Sequence, residues 1–166
     1  MLSLIVAYGK NKEIGKDGRM PWPSLSMDFE HLKEKTMGKT LLMGQKTFES
    51  LPGVLPKRFH IIVSDDLSFN KVHKRVRVVR DLFRTLEECQ AAEEEIVVFG
   101  GASIYRASLP YVQKMYITKI DQEYEADTYF PDFDEKEWEI EADSEPIEEQ
   151  GLTYQFFTYT RKDCTP

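Results

Sequence analysis

The chain has 166 residues, of which 41% are hydrophobic and 31% charged, with a formal net charge of −7. This is the profile of a soluble globular chain, long enough for a substantial core and read as one domain over residues 1–166. The acidic balance excludes nucleic acid as the main partner, and no apolar run is long enough to span a bilayer.

Leu2 to Tyr8 is a short apolar run, suited to a fully buried strand and lacking the basic region and cleavage site of a signal peptide. Residues 9–24 form one long loop with Gly15 and Gly18 as turn residues; long ordered loops are often functional, though a plain surface connection has the same composition. Pro21 and Pro23 hold off a helix start, Ser24 or Ser26 is placed to cap one, and Leu25, Phe29 and Leu32 then recur at helical spacing. Asp28 sits beside that apolar face. It reads either as an exposed carboxylate favouring the helix dipole or as a desolvated acid with a raised pKa.

Lys39 to Met43 is a second strand, running into Gly44-Gln45-Lys46-Thr47 and a short helix that Pro52-Gly53 ends. A strand, a glycine and a helix start can hold an anion, although many α/β turns look the same. Phe59 to Val63 and Val76 to Val79 are further strands. Asp81 to Ala92 is a solvent-facing helix with Leu82, Leu86 and Cys89 turned inward. Ile96 to Phe99 is a fifth strand that meets Gly100-Gly101, either a tight packing turn or a close backbone approach. A helix from Ser103 to about Leu109 stops at Pro110. Strands alternating with helices predict a mostly parallel sheet with ligands at its carboxyl edge. The end differs: Lys114 to Ile120, Glu139 to Ala142 and Tyr154 to Thr160 are strands, the last two an antiparallel hairpin at the sheet edge around an acidic loop, 143–151. G-x-G-x-x-G is absent. The three histidines lack metal-ligand spacing, and Cys89 and Cys164 form no metal or redox motif, so no metal is expected and the compartment reads as a reducing cytoplasm.

Taken in order, these pieces resemble the dihydrofolate reductase family from Ser3 to about Arg161. The likeness rests on Ile14-Gly15, Met20-Pro21-Trp22, Asp28, Met43-Gly44-x-Lys46-Thr47-Phe48-Glu49-Ser50, Leu55-Pro56-x-Arg58, Phe99-Gly100-Gly101-Ala102-x-Ile104-Tyr105, Tyr116-Ile117-Thr118 and Asp127-Thr128-x-Phe130-Pro131. It implies a twisted, mainly parallel eight-stranded sheet flanked by four helices, with an antiparallel C-terminal edge strand. It implies hydride transfer from NADPH to dihydrofolate and a site that also takes antifolate inhibitors; the acidic surface and the lack of a coiled-coil pattern point to a monomer. Carried over by position, Asp28 with Trp22 and Thr118 serves catalysis. Substrate would meet Ile5, Val6, Ala7, Asp28, Phe29, Leu32, Ser50, Leu51, Leu55, Arg58, Phe99 and Thr118. The cofactor would meet Ala7, Ile14, Gly15, Met20, Gly44, Gln45, Lys46, Thr47, Val63, Ser64, Phe99, Gly100, Gly101, Ala102, Ser103, Ile104 and Tyr105, with Gly100–Gly101 a cis peptide.

Two departures stand out. Trp22 and Asp28 are six positions apart, one more than in many bacterial relatives and similar to the vertebrate enzymes, whose acid is usually Glu. Gln45 stands where the family usually has Arg, and Asp65 follows Ser64, both where the 2′-phosphate is expected; Lys46, Arg77 and Arg80 are the nearest cations. The competing readings are the reductase of riboflavin biosynthesis, which shares the fold, and a catalytically silent nucleotide-binding protein.

Overall fold

The computed structural model describes residues 1–162, so Cys164 lies outside the described residues. The chain builds β1 (Leu2–Tyr8), β2 (Glu13–Gly15), α1 (Ser26–Thr36), β3 (Thr40–Gly44), α2 (Gln45–Ser50), β4 (Phe59–Val63), β5 (Val76–Val79), α3 (Leu82–Ala91), β6 (Ile96–Gly100), α4 (Ala102–Ser108), β7 (Lys114–Ile120), β8 (Thr128–Tyr129), β9 (Trp138–Ala142), β10 (Ile147–Glu149) and β11 (Leu152–Arg161). Across the main sheet the order is β10-β11-β7-β1-β6-β3-β4-β5. Seven of these strands and β9, which pairs with the far half of β11, fall where the sequence places its eight; β10 is the addition, at the same edge as β9. The pairs from β7 through β1, β6, β3 and β4 to β5 are parallel, and β11 runs antiparallel to β7.

Alternation along β1 explains the layering. Leu2, Leu4, Val6 and Tyr8 enter one core with Leu86 and Cys89 of α3 and with Ile104 and Tyr105 of α4. Ile5 enters the other with Leu41, Met43 and Phe48 of α2, joined by the half-buried Leu32 of α1. Both faces of the parallel strands are therefore covered, which is why their sequences read as unbroken apolar runs. The chain moves from β1 out to β5, returns to β6 and then crosses to β7. The loops after β1, β3 and β6 consequently meet at one edge, beside the switch in strand order.

Four local features differ from the sequence reading. The loop at 9–24 contains β2, which pairs with β8. It is anchored by Glu13, fully buried, whose carboxylate accepts the Asn11 and Tyr124 N–H groups at 2.5 Å each. A buried acid used as a backbone staple looks like loop polarity in sequence. Helix α1 is capped by neither Ser24 nor Ser26: Leu25 holds the N-cap position without a side-chain bond, and the Glu149 carboxylate accepts the Ser26 and Met27 N–H groups. The acidic loop at 143–151 contains β10. Helix α4 ends at Ser108 and passes into a 3₁₀ turn, Leu109–Tyr111, where Pro110 fits the first turn.

Candidate active site

Helix α1 lies across a row of side chains on one side of the sheet. Ala7 of β1 is in register with Thr118 of β7, and Thr118 with Phe156 of β11. Asp28 and His31, three apart and so on the same helix face, meet this row. The Thr118 hydroxyl donates to Asp28 Oδ1 at 2.8 Å. The His31 ring stacks on Phe156 at 4.0 Å with 5° between planes. Trp22 and Leu25 pack in the same cluster as Phe156 and Tyr154, with Trp22 tilted on Tyr124. Burial pushes the Asp28 carboxyl above its ordinary pKa; the Thr118 bond opposes this and the Glu149 charge adds to it. Of the two sequence readings, Asp28 is thus the desolvated acid.

The apolar face expected for α1 is only partly a core face. Leu25 is buried and Leu32 half-buried, but Phe29 is 48% exposed; the buried residues of the helix itself are His31 and Thr36.

At the other end of α1, Thr36 is 1% exposed. Its hydroxyl donates to the Leu32 carbonyl one turn back and accepts from Arg58 Nε at 2.9 Å, while Arg58 Nη1 donates to the Pro56 carbonyl at 2.9 Å. Arg58 is 7% exposed, and these bonds fix its guanidinium in direction. Beside it, the Leu55 N–H donates to Nε2 of the fully buried His60 at 3.2 Å. That acceptor role requires neutral imidazole, and burial lowers the His60 pKa accordingly. Leu51, Leu55 and Phe99 pack with Ile5 in the core on this side, and the Ser50 hydroxyl donates to the Thr47 carbonyl.

The two glycine turns form the remaining edge. Gly100–Gly101 is cis, and Gly100 has φ of 129°. A Cβ at either glycine would come within 3.4 Å of Thr47 Oγ1, so α2 and this turn approach closely. Gly44 faces Ile104 at a similar distance, and Gly15 faces Thr128. The Tyr105 hydroxyl donates to the carbonyls of Ile5 and Phe99, tying the carboxyl ends of β1 and β6. Beyond α2, the Ser64 hydroxyl donates to Gln45 Oε1 at 2.5 Å, and Gln45 Nε2 donates to Glu49. The Arg80 guanidinium donates to the carbonyls of Ser64, Asp66 and Phe69.

Of the expected residues, Ala7, Gly44, Ser64, Phe99 and Gly100–Gly101 lie at or next to the carboxyl ends of their strands, whereas Arg58 lies just before the amino end of β4. The Val6 side chain lies in the opposite core, which Ile14 and Val63 also join, and Ile104 is buried there, so Val6 can present only backbone. Met20, Lys46 and Ser103 are exposed, and Ala102 is half-buried at the first residue of α4. Sequence reasoning missed His31, Thr36, His60 and Glu149. Thr36 alone carried a local signal, since a threonine four residues after Leu32 on a helix can bond back to its carbonyl. Among the described residues, no cluster of acidic, His or Cys side chains could hold a metal ion.

The sheet and this edge define an α/β protein that binds small molecules where its parallel strands end, with one desolvated acid inside and a glycine-lined cradle beside it. The family model described as dihydrofolate reductase matches residues 1–161, and the chain belongs to that family. It is 37% identical to the dihydrofolate reductase of Bacillus subtilis over 169 aligned residues, covering 99% of this chain and 97% of that one. It is 37% identical to that of Staphylococcus haemolyticus, covering 94% and 92%, and 38% identical to that of Haemophilus influenzae, covering 96% and 98%. Its fold is similar to the solved structure of dihydrofolate reductase from Enterococcus faecalis complexed with NADP(H) and RAB-propyl, with a TM-score of 0.83, 30% identity, and coverage of 98% and 97%.

Proposed function

We propose that this chain reduces 7,8-dihydrofolate to 5,6,7,8-tetrahydrofolate with NADPH, as a single domain acting as a monomer in the cytoplasm. The observation that carries the reading is the Asp28–Thr118 pair, a desolvated carboxyl whose one fixed donor leaves its second oxygen available. In this reading Oδ2 takes the amino-pyrimidine edge of the pterin, and burial, by raising the carboxyl's pKa, makes it a better proton source for N5 than an exposed aspartate. Thr118 holds the carboxyl's angle, and Trp22 fixes the loop that leads into α1. Ile5, Ala7, Phe29, Leu32 and Phe99 line the ring site, with Val6 contributing backbone. Ser50, Leu51 and Leu55 line the channel toward Arg58, whose planar fork grips the substrate's glutamate carboxylate.

A nicotinamide dinucleotide fits the edge opposite. The close approach of Thr47 to Gly100–Gly101 leaves backbone, not side chain, facing the space above, as a phosphate needs. Gly44, Gln45, Lys46, Thr47, Ser64, Gly100, Gly101, Ala102 and Ser103 would hold the cofactor's phosphates. Ala7, Ile14, Gly15, Met20, Val63, Phe99, Ile104 and Tyr105 would support its rings and ribose. When bound, it supplies the hydride for C6 of the substrate. The residues around Met20 and Trp22 exclude water from the paired rings. The same site takes antifolate inhibitors. The absence of a described helix long and apolar enough to cross a membrane, together with the net charge of −7, fits a chain that works on small molecules away from membranes and nucleic acid.

The test is NADPH oxidation on addition of dihydrofolate. Turnover that depends on both is expected. A folded chain that binds NADPH yet never oxidises it with saturating dihydrofolate would overturn the reading.

A further inference from the structure

Glu149 is far in sequence from every residue assigned a role above, yet its carboxylate ends on the helix that carries Asp28. The β10–β11 hairpin fixes its position. Ile147 pairs with Tyr154 and Glu149 with Leu152, leaving Gln150-Gly151 as the turn. Both turn residues have positive φ, 55° and 74°, as a two-residue type I′ turn requires. Glu149 is thus the last strand residue before a tight turn. One carboxylate oxygen accepts the Ser26 N–H at 2.7 Å; the other accepts the Met27 N–H at 3.4 Å and the Tyr154 hydroxyl at 2.7 Å.

These N–H groups belong to the first turn of α1, where no helical carbonyl is available and no side chain of the helix start caps them. Asp28 follows directly as the third residue of α1. A slip of that turn would move its carboxyl along the sheet relative to Thr118. The hairpin supports the helix start apolarly as well, since Leu152, Tyr154 and Phe156 share a cluster with Trp22 and Leu25.

We propose that Glu149 is a positioning residue for the reaction at Asp28: it clamps the first turn of α1 to the β10–β11 hairpin and offsets the positive end of that helix with a fixed negative charge. The proposal rests on the reading of Asp28 as the acid of a dihydrofolate site. A helix N-terminus favours carboxylate over carboxylic acid. Unopposed, it would work against a protonated Asp28. Glu149 reverses that influence at short range. The groups facing Asp28 are Thr118 from β7, Tyr154 from β11 and Glu149 from β10, and only Glu149 is charged at neutral pH. Bonds from the Ser26 backbone and then Tyr154 hold the Glu149 carboxyl at about 2, so it stays charged throughout the range in which Asp28 titrates.

The test uses the full chain with Glu149→Gln, which keeps an oxygen for the Ser26 N–H but loses the charge, and Glu149→Ala, which loses both. The Asp28 carboxyl is titrated directly by carbon NMR, its resonance assigned by comparison with Asp28→Asn. The Asp28 midpoint is expected to fall in both variants. The pH profile of dihydrofolate reduction should shift the same way, so that the rate above the midpoint drops about 2- to 5-fold in Glu149→Gln. A role in folding alone would lower thermal stability and raise KM while leaving the midpoint in place, and that result overturns the proposal. An inactive wild-type chain would overturn the functional reading but leave the titration readable, so the two failures are distinguishable.

Discussion

Replacing Arg58 with Lys separates the substrate's tail from everything else in the site. Arg58 is 7% exposed, and its guanidinium already gives Nε to Thr36 Oγ1 and Nη1 to the Pro56 carbonyl, each at 2.9 Å. Its direction is set before any ligand arrives, so little orientational freedom remains to be lost on binding. An ammonium is a single point of charge and cannot serve Thr36, Pro56 and a two-oxygen carboxylate together. Losing one charge-assisted hydrogen bond costs about 1.5–3 kcal/mol, or roughly 10- to 150-fold in Kd. Arg58→Lys should therefore weaken dihydrofolate by that factor in an equilibrium fluorescence titration. NADPH affinity should stay unchanged, as should affinity for a dihydropterin lacking the glutamate tail. Thr36→Val keeps the Arg58 charge and removes its Nε acceptor along with the bond back to the Leu32 carbonyl, so it should weaken dihydrofolate by a smaller factor. If the tail-less pterin or NADPH lost as much affinity as dihydrofolate, the assignment of Arg58 to the tail would be refuted.

Asp28 should carry a stability cost. Its folded-state pKa is raised by burial, so between the unfolded and folded values the native state holds more protons, and stability falls as pH rises through that window. Asp28→Asn should raise Tm at pH 7 and have little effect at a pH below the unfolded carboxyl range; an equal gain at both would contradict burial as the cause. Gln45→Arg should widen the NADPH-to-NADH ratio of kcat/KM by roughly 5- to 30-fold, because a charged bond to the 2′-phosphate replaces a neutral one, and more so at low salt. An unchanged ratio would mean that Arg80, which already braces the carbonyls of Ser64, Asp66 and Phe69, supplies the charge.

The parallel strands could be read in the sequence because burial on both faces leaves runs of four to seven mostly apolar residues. Helix α3 was equally plain: the Asp81 carboxylate accepts the Arg84 N–H, and Leu86 and Cys89 face inward as their spacing implies. The misses share a cause. Ile147-Glu148-Glu149 has no strand character of its own and is a strand only because β11 pairs with it. Glu13 is polar and yet fully buried, because its carboxylate satisfies backbone from two segments. The cap of α1 comes from a residue more than a hundred positions away, beyond the reach of any local pattern. In the site, Asp28 and Arg58 were found through family likeness. Thr36, which fixes Arg58, and His60, which accepts the Leu55 N–H, belong to no motif, and only the spacing of Thr36 from Leu32 carries a local signal.

The pH dependence of the hydride step in wild type and Asp28→Asn, followed by NADPH oxidation in a single turnover with dihydrofolate, addresses the role of Asp28 most directly. The wild-type rate should decline as pH rises through the raised pKa of Asp28. Asp28→Asn should lose about 10²- to 10⁴-fold at neutral pH and recover part of that as the pH is lowered and the substrate takes its proton from solvent. A variant that matches wild type at neutral pH, or that declines with pH along the wild-type curve, would show that the proton at N5 does not depend on Asp28.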